Sequence, residues 1–346
     1  MSVSIPAFDP NSASPPGSGL FGLPYTLDEA TIVVVPVPWD ATTSYRAGTS
    51  LGPAAILEAS KQVDLFDLET GRPYEAMIAM LDIPADIQEW NEEARRLAVP
   101  IIERGGATDE DEELVRVNAF SEQVNEYVYN TCKSLLAKGK TPVVLGGDHS
   151  CPFGAIRAYA EVGELGVLHI DAHADLRDAY EGFEWSHASI MDNVLRKIPG
   201  VTKLVQIGIR DFSEAEYDRI HREKDRVRTL FDLELATARR KGTLEDVLRN
   251  AIEALPKRVY VSFDIDGLDP RFCPSTGTPV PGGLDFYEAS LALKLIVESG
   301  RQIVGCDLNE VAPDPNGTTE WDANVGARVL YKMIGWMIQS KKTKQR

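Results

Sequence analysis

From residue 120 onward the chain keeps one rhythm. A short, largely β-branched apolar run alternates with a longer stretch in which apolar positions recur every three or four residues. The apolar runs at 142–145, 166–170, 203–209, 258–263 and 303–308 have the length of buried strands, and 227–230 is a shorter candidate. Helical spacing fills 120–138, 153–160, 188–198, 244–254 and 323–338. Nearer the N-terminus, 32–36 reads as a strand and Pro53 opens a helix that runs to Gln62. Ser213 with Glu216, and Asp285 with Glu288, have capping-box spacing, and Gly300 marks a helix stop. Uninterrupted apolar strands alternating with helices predict a parallel sheet covered on both faces. The expected fold is therefore α/β, three layers (α/β/α) around a central, mainly parallel sheet.

Two segments leave the rhythm. Residues 1–20 are rich in Pro, Ser, Gly and Asn and predict an extended arm. An insert near 67–120 is strongly charged over 89–115, with an acidic run at 109–113, and reads as a solvated surface helix or loop. With no internal repeat or linker after residue 20, one domain over 21–346 is expected.

Composition narrows the partners. A net charge of −17 disfavours nucleic acid and anionic membrane surfaces, and mildly favours a small cation. The four scattered cysteines, Cys132, Cys151, Cys273 and Cys306, read as buried thiols of a reducing compartment. With no signal-peptide pattern and no apolar stretch of transmembrane length, a cytoplasmic protein is expected.

The chemistry is concentrated where the apolar runs end. His149 follows the first of these runs; Asp171, His173 and Asp175 follow the second; Asp264 and Asp266 follow the fourth. Residues spaced by two share a face of extended backbone, so each group can converge on one point. Carboxylates with imidazoles suit Mn, Zn, Fe or Ni, and a carboxylate can bridge two ions. His169 lies inside an apolar run and reads as a core histidine, and His221 as an exposed one. His187 opens a helix soon after the triad, where an imidazole can shuttle protons. Asp148 and Asp269, beside the ligand clusters, are candidates to orient the ligating imidazoles.

Four ordered motifs now carry a family resemblance. Gly-Gly-Asp-His-Ser at 146–150, Asp-Ala-His-Ala-Asp-Leu-Arg-Asp at 171–178, Ser-Phe-Asp-Ile-Asp-Gly-Leu-Asp-Pro at 262–270 and Thr-Gly-Thr-Pro-Val-Pro-Gly-Gly at 276–283 resemble the signatures of the ureohydrolases. These are the arginases, agmatinases, guanidinobutyrases and formiminoglutamases, and the likeness runs over roughly 30–340. It implies the arginase-like fold and two Mn2+ per chain, with Ni2+ as an alternative. One ion would take His149, Asp171, Asp175 and Asp264, and the other Asp171, His173, Asp264 and Asp266. It also implies hydrolysis of a guanidino compound to urea and an amine, with His187 as proton shuttle and Glu310 as the carboxylate that pairs with the guanidinium. Thr278 falls in the substrate loop, and the family's habit implies a homotrimer or homohexamer.

The loop at 176–187 lacks the Asn/Ser-rich arginase pattern and resembles that of bacterial and archaeal agmatinases. Agmatine, cleaved to putrescine and urea, is the expected substrate. Arg177 keeps a carboxylate-bearing alternative, guanidinobutyrate, in view, beside guanidinase or arginase activity. More remote are a mononuclear deacetylase on the same sheet and a scaffold without turnover.

Overall fold

The computed structural model describes residues 8–343 except Pro16 and Asp109. In chain order the elements are β1 (Ile32–Val37), α1 (Gly52–Ser60), β2 (Ile78–Met80), α2 (Ala85–Glu103), α3 (Glu112–Ala137), β3 (Thr141–Gly146), α4 (Phe153–Ala160) and β4 (Leu165–Ile170). There follow α5 (Ile190–Lys197), β5 (Val201–Ile209), α6 (Glu214–Arg222), β6 (Val227–Phe231), α7 (Asp232–Lys241), α8 (Leu244–Ile252), β7 (Arg258–Asp264), α9 (Phe286–Glu298), β8 (Gln302–Asn309) and α10 (Trp321–Thr343). The strands form one eight-stranded sheet in the order β2-β1-β3-β8-β7-β4-β5-β6, with every pairing parallel. The expected three-layer α/β/α fold is what the chain adopts.

Successive strand residues face opposite layers. Val143 and Leu145 of β3, with Val259, Val261 and Phe263 of β7, join the core beneath α1, α8, α9 and α10. Val144 and Tyr260, from the same strands, join the core beneath α3, α4 and α5. Both faces are covered by helices, which is why these strands read as unbroken apolar runs. The capping boxes form as predicted: Ser213 and Glu216 start α6, and Asp285 and Glu288 start α9.

The differences from expectation lie in short or charged stretches. β2 pairs through only three residues at the sheet edge, too few for a period to show. The segment expected as a solvated helix or loop holds α2, charged outside but burying Ile87, Ala94, Ala98 and Ile101, even with Pro100 inside it. α3 starts at Glu112 rather than 120, because the Asp111 carboxylate caps it by accepting from the Glu113 and Leu114 amides. The acids after Asp111 therefore sit in a helix first turn, where the helix dipole favours them. Asp109 of that run, and residues 1–7 and 16 of the expected arm, lie outside the described residues. The rest of that arm lies against the end of α1, with Ser14 Oγ donating to the Lys61 carbonyl at 3.0 Å. Among the described residues no helix is long and apolar enough to cross a membrane.

The crossover from β3 to β4 skips two sheet positions, which β8 and β7 later fill. The four central strands β3-β8-β7-β4 thus deliver their C-terminal ends side by side, where ligands of open parallel sheets bind.

Candidate metal centre and adjoining cleft

Each strand end supplies one part of the site. β3 runs into Gly147, where a Cβ would lie 2.0 Å from the Trp39 carbonyl oxygen, so glycine alone fits and the chain can turn His149 back over the sheet. β4 ends one residue before Asp171, and His173 stays extended enough to bridge Asp211 beyond β5. Asp175 adopts φ 54°, a costly conformation for a non-glycine residue; its carbonyl is held by the Met191 and Asp192 amides at the start of α5. Asp264 closes β7 and accepts from the Asp266 amide at 2.8 Å, a tight turn that brings Asp266 to the same point. Glu310, just after β8, has φ 62° and is fixed by its amide to the Gly147 carbonyl at 2.7 Å and by Thr276 Oγ1 on its own carbonyl at 2.8 Å.

The six expected ligands come together. His149 Nδ1 lies 2.9 Å from Asp171 Oδ2, 3.3 Å from Asp264 Oδ2 and 3.5 Å from Asp175 Oδ2. His173 Nδ1 lies 3.4 Å from Asp171 Oδ1 and 3.1 Å from Asp266 Oδ2. Asp171 therefore turns one oxygen to each imidazole, the disposition a bridging carboxylate requires. Asp264 sits with the His149 group, and the Ala172 amide donates to Asp266 Oδ1 at 3.0 Å, tying the two aspartate motifs together.

Electrostatics reinforce the reading. Burial, then the charges of Asp266 and Asp171, push the Asp264 carboxyl well above its usual range; burial and Asp171 do the same to Asp175. Burial opposes charge on His149 and His173 too, yet the surrounding aspartates outweigh it and raise both imidazoles. Four carboxylates packed around two imidazoles form a buried anionic cluster that a cation would neutralise, and the donors are those of borderline divalent metals.

Beside the cluster, a cavity of about 160 Å3 is lined by His173, Asp175, Arg177, Tyr180, His187 and Thr278, among others. His187 is largely buried, and its Nδ1 lies 3.6 Å from Glu310 Oε1. Burial, aided by the charge of His173, lowers its pKa to about 3. Glu310 Oε1 accepts from the His149 amide at 2.9 Å, while Oε2 has no hydrogen-bond partner among the described residues. A Cβ on Gly277 would come 3.3 Å from that free oxygen, so the glycine lets the loop at 276–283 pass close beside it. Thr278 Oγ1 lies 3.4 Å from Asp266 Oδ2. Arg177 stacks over the Tyr180 ring at 4.8 Å, with Nε 3.6 Å from Glu216 Oε2.

Two supporting assignments need correction. Asp148 accepts from the Ser150 amide at 2.9 Å, and half-exposed Asp269 from the Arg271 amide at 3.0 Å; both serve their own turns and hold no imidazole. His149 Nε2 instead meets Ser262 Oγ at 2.9 Å, and Ser262 donates to Asp307 Oδ1 at 3.0 Å. With the serine proton committed to Asp307, Nε2 must donate, which leaves Nδ1 as the ring nitrogen that faces the carboxylates and would give up its proton to a metal. Ser262 stands inside the motif at 262–270 and Asp307 is the one acid inside the apolar run at 303–308, so position was the only signal for either. His169 is buried as expected, although its partner is Asp171. His221 is exposed, with Nδ1 2.8 Å from the Tyr217 carbonyl oxygen.

An all-parallel sheet carrying a buried imidazole–carboxylate cluster over its central strand ends defines an α/β protein whose side chains could hold metal ions. The arginase-family model matches residues 30–335, so the chain belongs to that family, the ureohydrolases, and is an enzyme of it. It is 35% identical over 311 residues to the N(1)-aminopropylagmatine ureohydrolase of Thermus thermophilus, covering 89% of this chain and 90% of the relative. It is 30% identical to the guanidinobutyrase of Pseudomonas aeruginosa over 90% of this chain and 88% of the relative. Among solved structures it resembles the agmatine ureohydrolase of Thermoplasma volcanium, with TM-score 0.69, 26% identity and coverage of 91% of this chain and 92% of the other.

Proposed function

We propose that this enzyme hydrolyses a guanidino compound carrying a second positive group, agmatine in the first instance, to urea and an amine, here putrescine. The observation that carries this reading is the free, buried Oε2 of Glu310, a carboxylate whose other oxygen lies 3.6 Å from the cleft-lining His187 and accepts from the His149 amide beside the imidazole–carboxylate cluster. His149, Asp171, Asp175 and Asp264 would hold one Mn2+, and Asp171, His173, Asp264 and Asp266 the other, with Ni2+ the alternative. Bound there, the two ions would supply the Lewis acidity that makes water a nucleophile at neutral pH.

The chain's own residues supply the rest. Glu310 pairs with the planar guanidinium and orients its carbon toward the cluster. Thr278, against Asp266, holds the same group from the substrate loop. His187, kept neutral by burial, accepts the proton that the attacking water loses and delivers it to the nitrogen that departs as the C–N bond breaks. The small cleft limits the water that reaches the reacting carbon.

At the mouth, Arg177 is matched by Glu216, whereas Asp211, 69% exposed in its side chain, pairs with no lysine or arginine among the described residues. That surplus carboxylate favours an amine at the far end of the substrate. A second reading, guanidinobutyrate, rests on Arg177, which lines the cleft and offers a carboxylate a partner. Assembly as a homotrimer or homohexamer in the cytoplasm, with neither nucleic acid nor membrane as partner, completes the proposal. Urea release from Mn-loaded and Ni-loaded protein, compared across agmatine, N(1)-aminopropylagmatine, arginine, guanidinobutyrate, guanidinopropionate and free guanidine, is the test. Preference for a polyamine guanidine sustains the reading, and silence on all six overturns it.

A further inference from the structure

His169 stands in an ambiguous place. Its Nε2 lies 2.7 Å from Asp171 Oδ2, and the ligand atoms of His149, His169, Asp171 and Asp175 all fall within 4.8 Å of one another. Distance alone would enlist His169 as a further metal ligand. The hydrogen bonds behind it say otherwise.

Gln206, fully buried on β5, places its amide nitrogen 2.7 Å from the Ala174 carbonyl oxygen. A carbonyl only accepts, so this atom must be the NH2 group and cannot be the amide oxygen. The same nitrogen lies 3.0 Å from His169 Nδ1, while Gln206 Oε1 accepts from Thr229 Oγ1 at 2.8 Å. One amide proton goes to Ala174, and the other is left for Nδ1. Nδ1 is therefore an acceptor, and the imidazole proton resides on Nε2, where it points at Asp171. A nitrogen bearing a proton has no lone pair for a metal.

We infer that Thr229, Gln206 and His169 form a positioning relay that fixes the bridging carboxylate Asp171, with His169 a hydrogen-bond donor and not a ligand. Held at Oδ2 by His169, Asp171 cannot rotate about its Cβ–Cγ bond without breaking a buried bond. Its two oxygens stay divided between His149 and His173. The relay comes from β4, β5 and β6, which follow one another in the sheet, so it anchors the site to the half of the sheet beyond β4. Ser262 and Asp307 perform the equivalent task for His149 from β7 and β8. The inference rests on the metal-site reading above for its consequence, but not for its geometry.

The decisive measurement is the imidazole nitrogen–proton correlation spectrum of metal-free, histidine-labelled protein, in which five histidines have to be distinguished. His169 is expected to carry its proton on Nε2 with an unprotonated Nδ1. A proton on Nδ1 with a bare Nε2 overturns the relay. Beside it, Mn2+ affinity and metal count per chain are measured for His169→Gln and His169→Leu. Glutamine reaches the Nε2 position with an N–H donor, so His169→Gln should keep two metals with affinity within a few-fold, whereas His169→Leu should lose about tenfold or more. Equal loss in both makes His169 a ligand and sinks the inference. Thr229→Val, a near-isosteric change remote from the cluster, should weaken Mn2+ binding by a smaller factor, and an unchanged affinity counts against the relay. If the His169 variants fail to fold, the wild-type spectrum decides alone. If wild-type protein binds no metal, the metal-site reading fails while the tautomer result still stands.

Discussion

The floor of the site and its mouth are built on different principles. The floor consists of residues at or just beyond the ends of β3, β4, β7 and β8, buried and locked by hydrogen bonds from the sheet and its turns. The mouth consists of Arg177, Tyr180, Asp211 and Ser44, carried on loops and partly open to solvent. The floor's donors suit one kind of chemistry, whereas charges at the mouth can be rearranged without disturbing it. On the proposed function, reaction type belongs to the sheet and substrate choice to the loops.

The largest effect should follow from breaking the floor. Asp266→Ala removes the oxygen nearest His173 Nδ1, 3.1 Å away, together with the bond to the Ala172 amide. Urea release should fall by at least about a thousandfold, with one metal lost per chain. Metal analysis of the purified variant alongside a urea assay checks both, and normal turnover would show that the cluster is not the reacting centre. His187→Ala should come next, at about a hundredfold or more in kcat with the metal count intact, because a proton carrier is lost and a ligand is not. Exogenous imidazole restoring part of the rate would sharpen the assignment.

The floor should also betray itself in stability. His149 and His173 bind protons more tightly in the folded protein than at the ordinary value of 6.5, because the neighbouring aspartates outweigh the cost of burial. Burial raises Asp175, Asp264 and Glu310 as well. A raised folded-state pKa contributes stability that is complete below the unfolded value and lost as pH climbs through the folded one. Asp171 runs the other way: despite burial its carboxyl is held well below 3.8 by His169, His149 and His173, so its contribution is lost in acid. Metal-free protein should therefore lose thermal stability as pH rises above the ordinary carboxylate range and on beyond 6.5. Metal takes the place of the protons, so the rise in Tm on adding Mn2+ should be greater at the alkaline end. A metal-induced rise that is largest in acid contradicts this account of the cluster.

The contrast also explains what could be read from residues alone. Asp171, His173 and Asp175 announce themselves because spacing by two and a preceding apolar run are both local facts. Glu310 is a single acid after a strand, visible only through the family resemblance; its φ of 62° and its free oxygen appear only in three dimensions. Ser262 and Asp307 were missed because what they do depends on two strands meeting in register, Ser262 opposite Asp307 across β7 and β8. Helix α2 and the start of α3 were obscured by charge. An amphipathic helix that buries small residues such as Ala94 and Ala98 leaves a weak apolar period, and Pro100 argues against a helix that packing nevertheless holds.

The smallest effect should come from the mouth, and it is the one that separates substrates. Arg177 lies over Tyr180 and 3.6 Å from Glu216, a carboxylate already engaged at the Leu176 amide and in the cap of α6. Arg177→Ala removes a positive charge from the cleft while the capping bonds of Glu216 remain. An incoming amine then meets Glu216 and Asp211 without a competing cation, whereas an incoming carboxylate loses its one partner. The ratio of kcat/KM for agmatine to that for guanidinobutyrate should rise by about tenfold, mostly through KM, since a partly exposed charge contributes only about 1 kcal/mol. The metal count and the pH dependence of Tm should not move. A ratio that stays constant would place the choice of substrate elsewhere in the mouth, with Asp211→Asn the next substitution to make; a fall in kcat for every substrate alike would mean that Arg177 belongs to the floor.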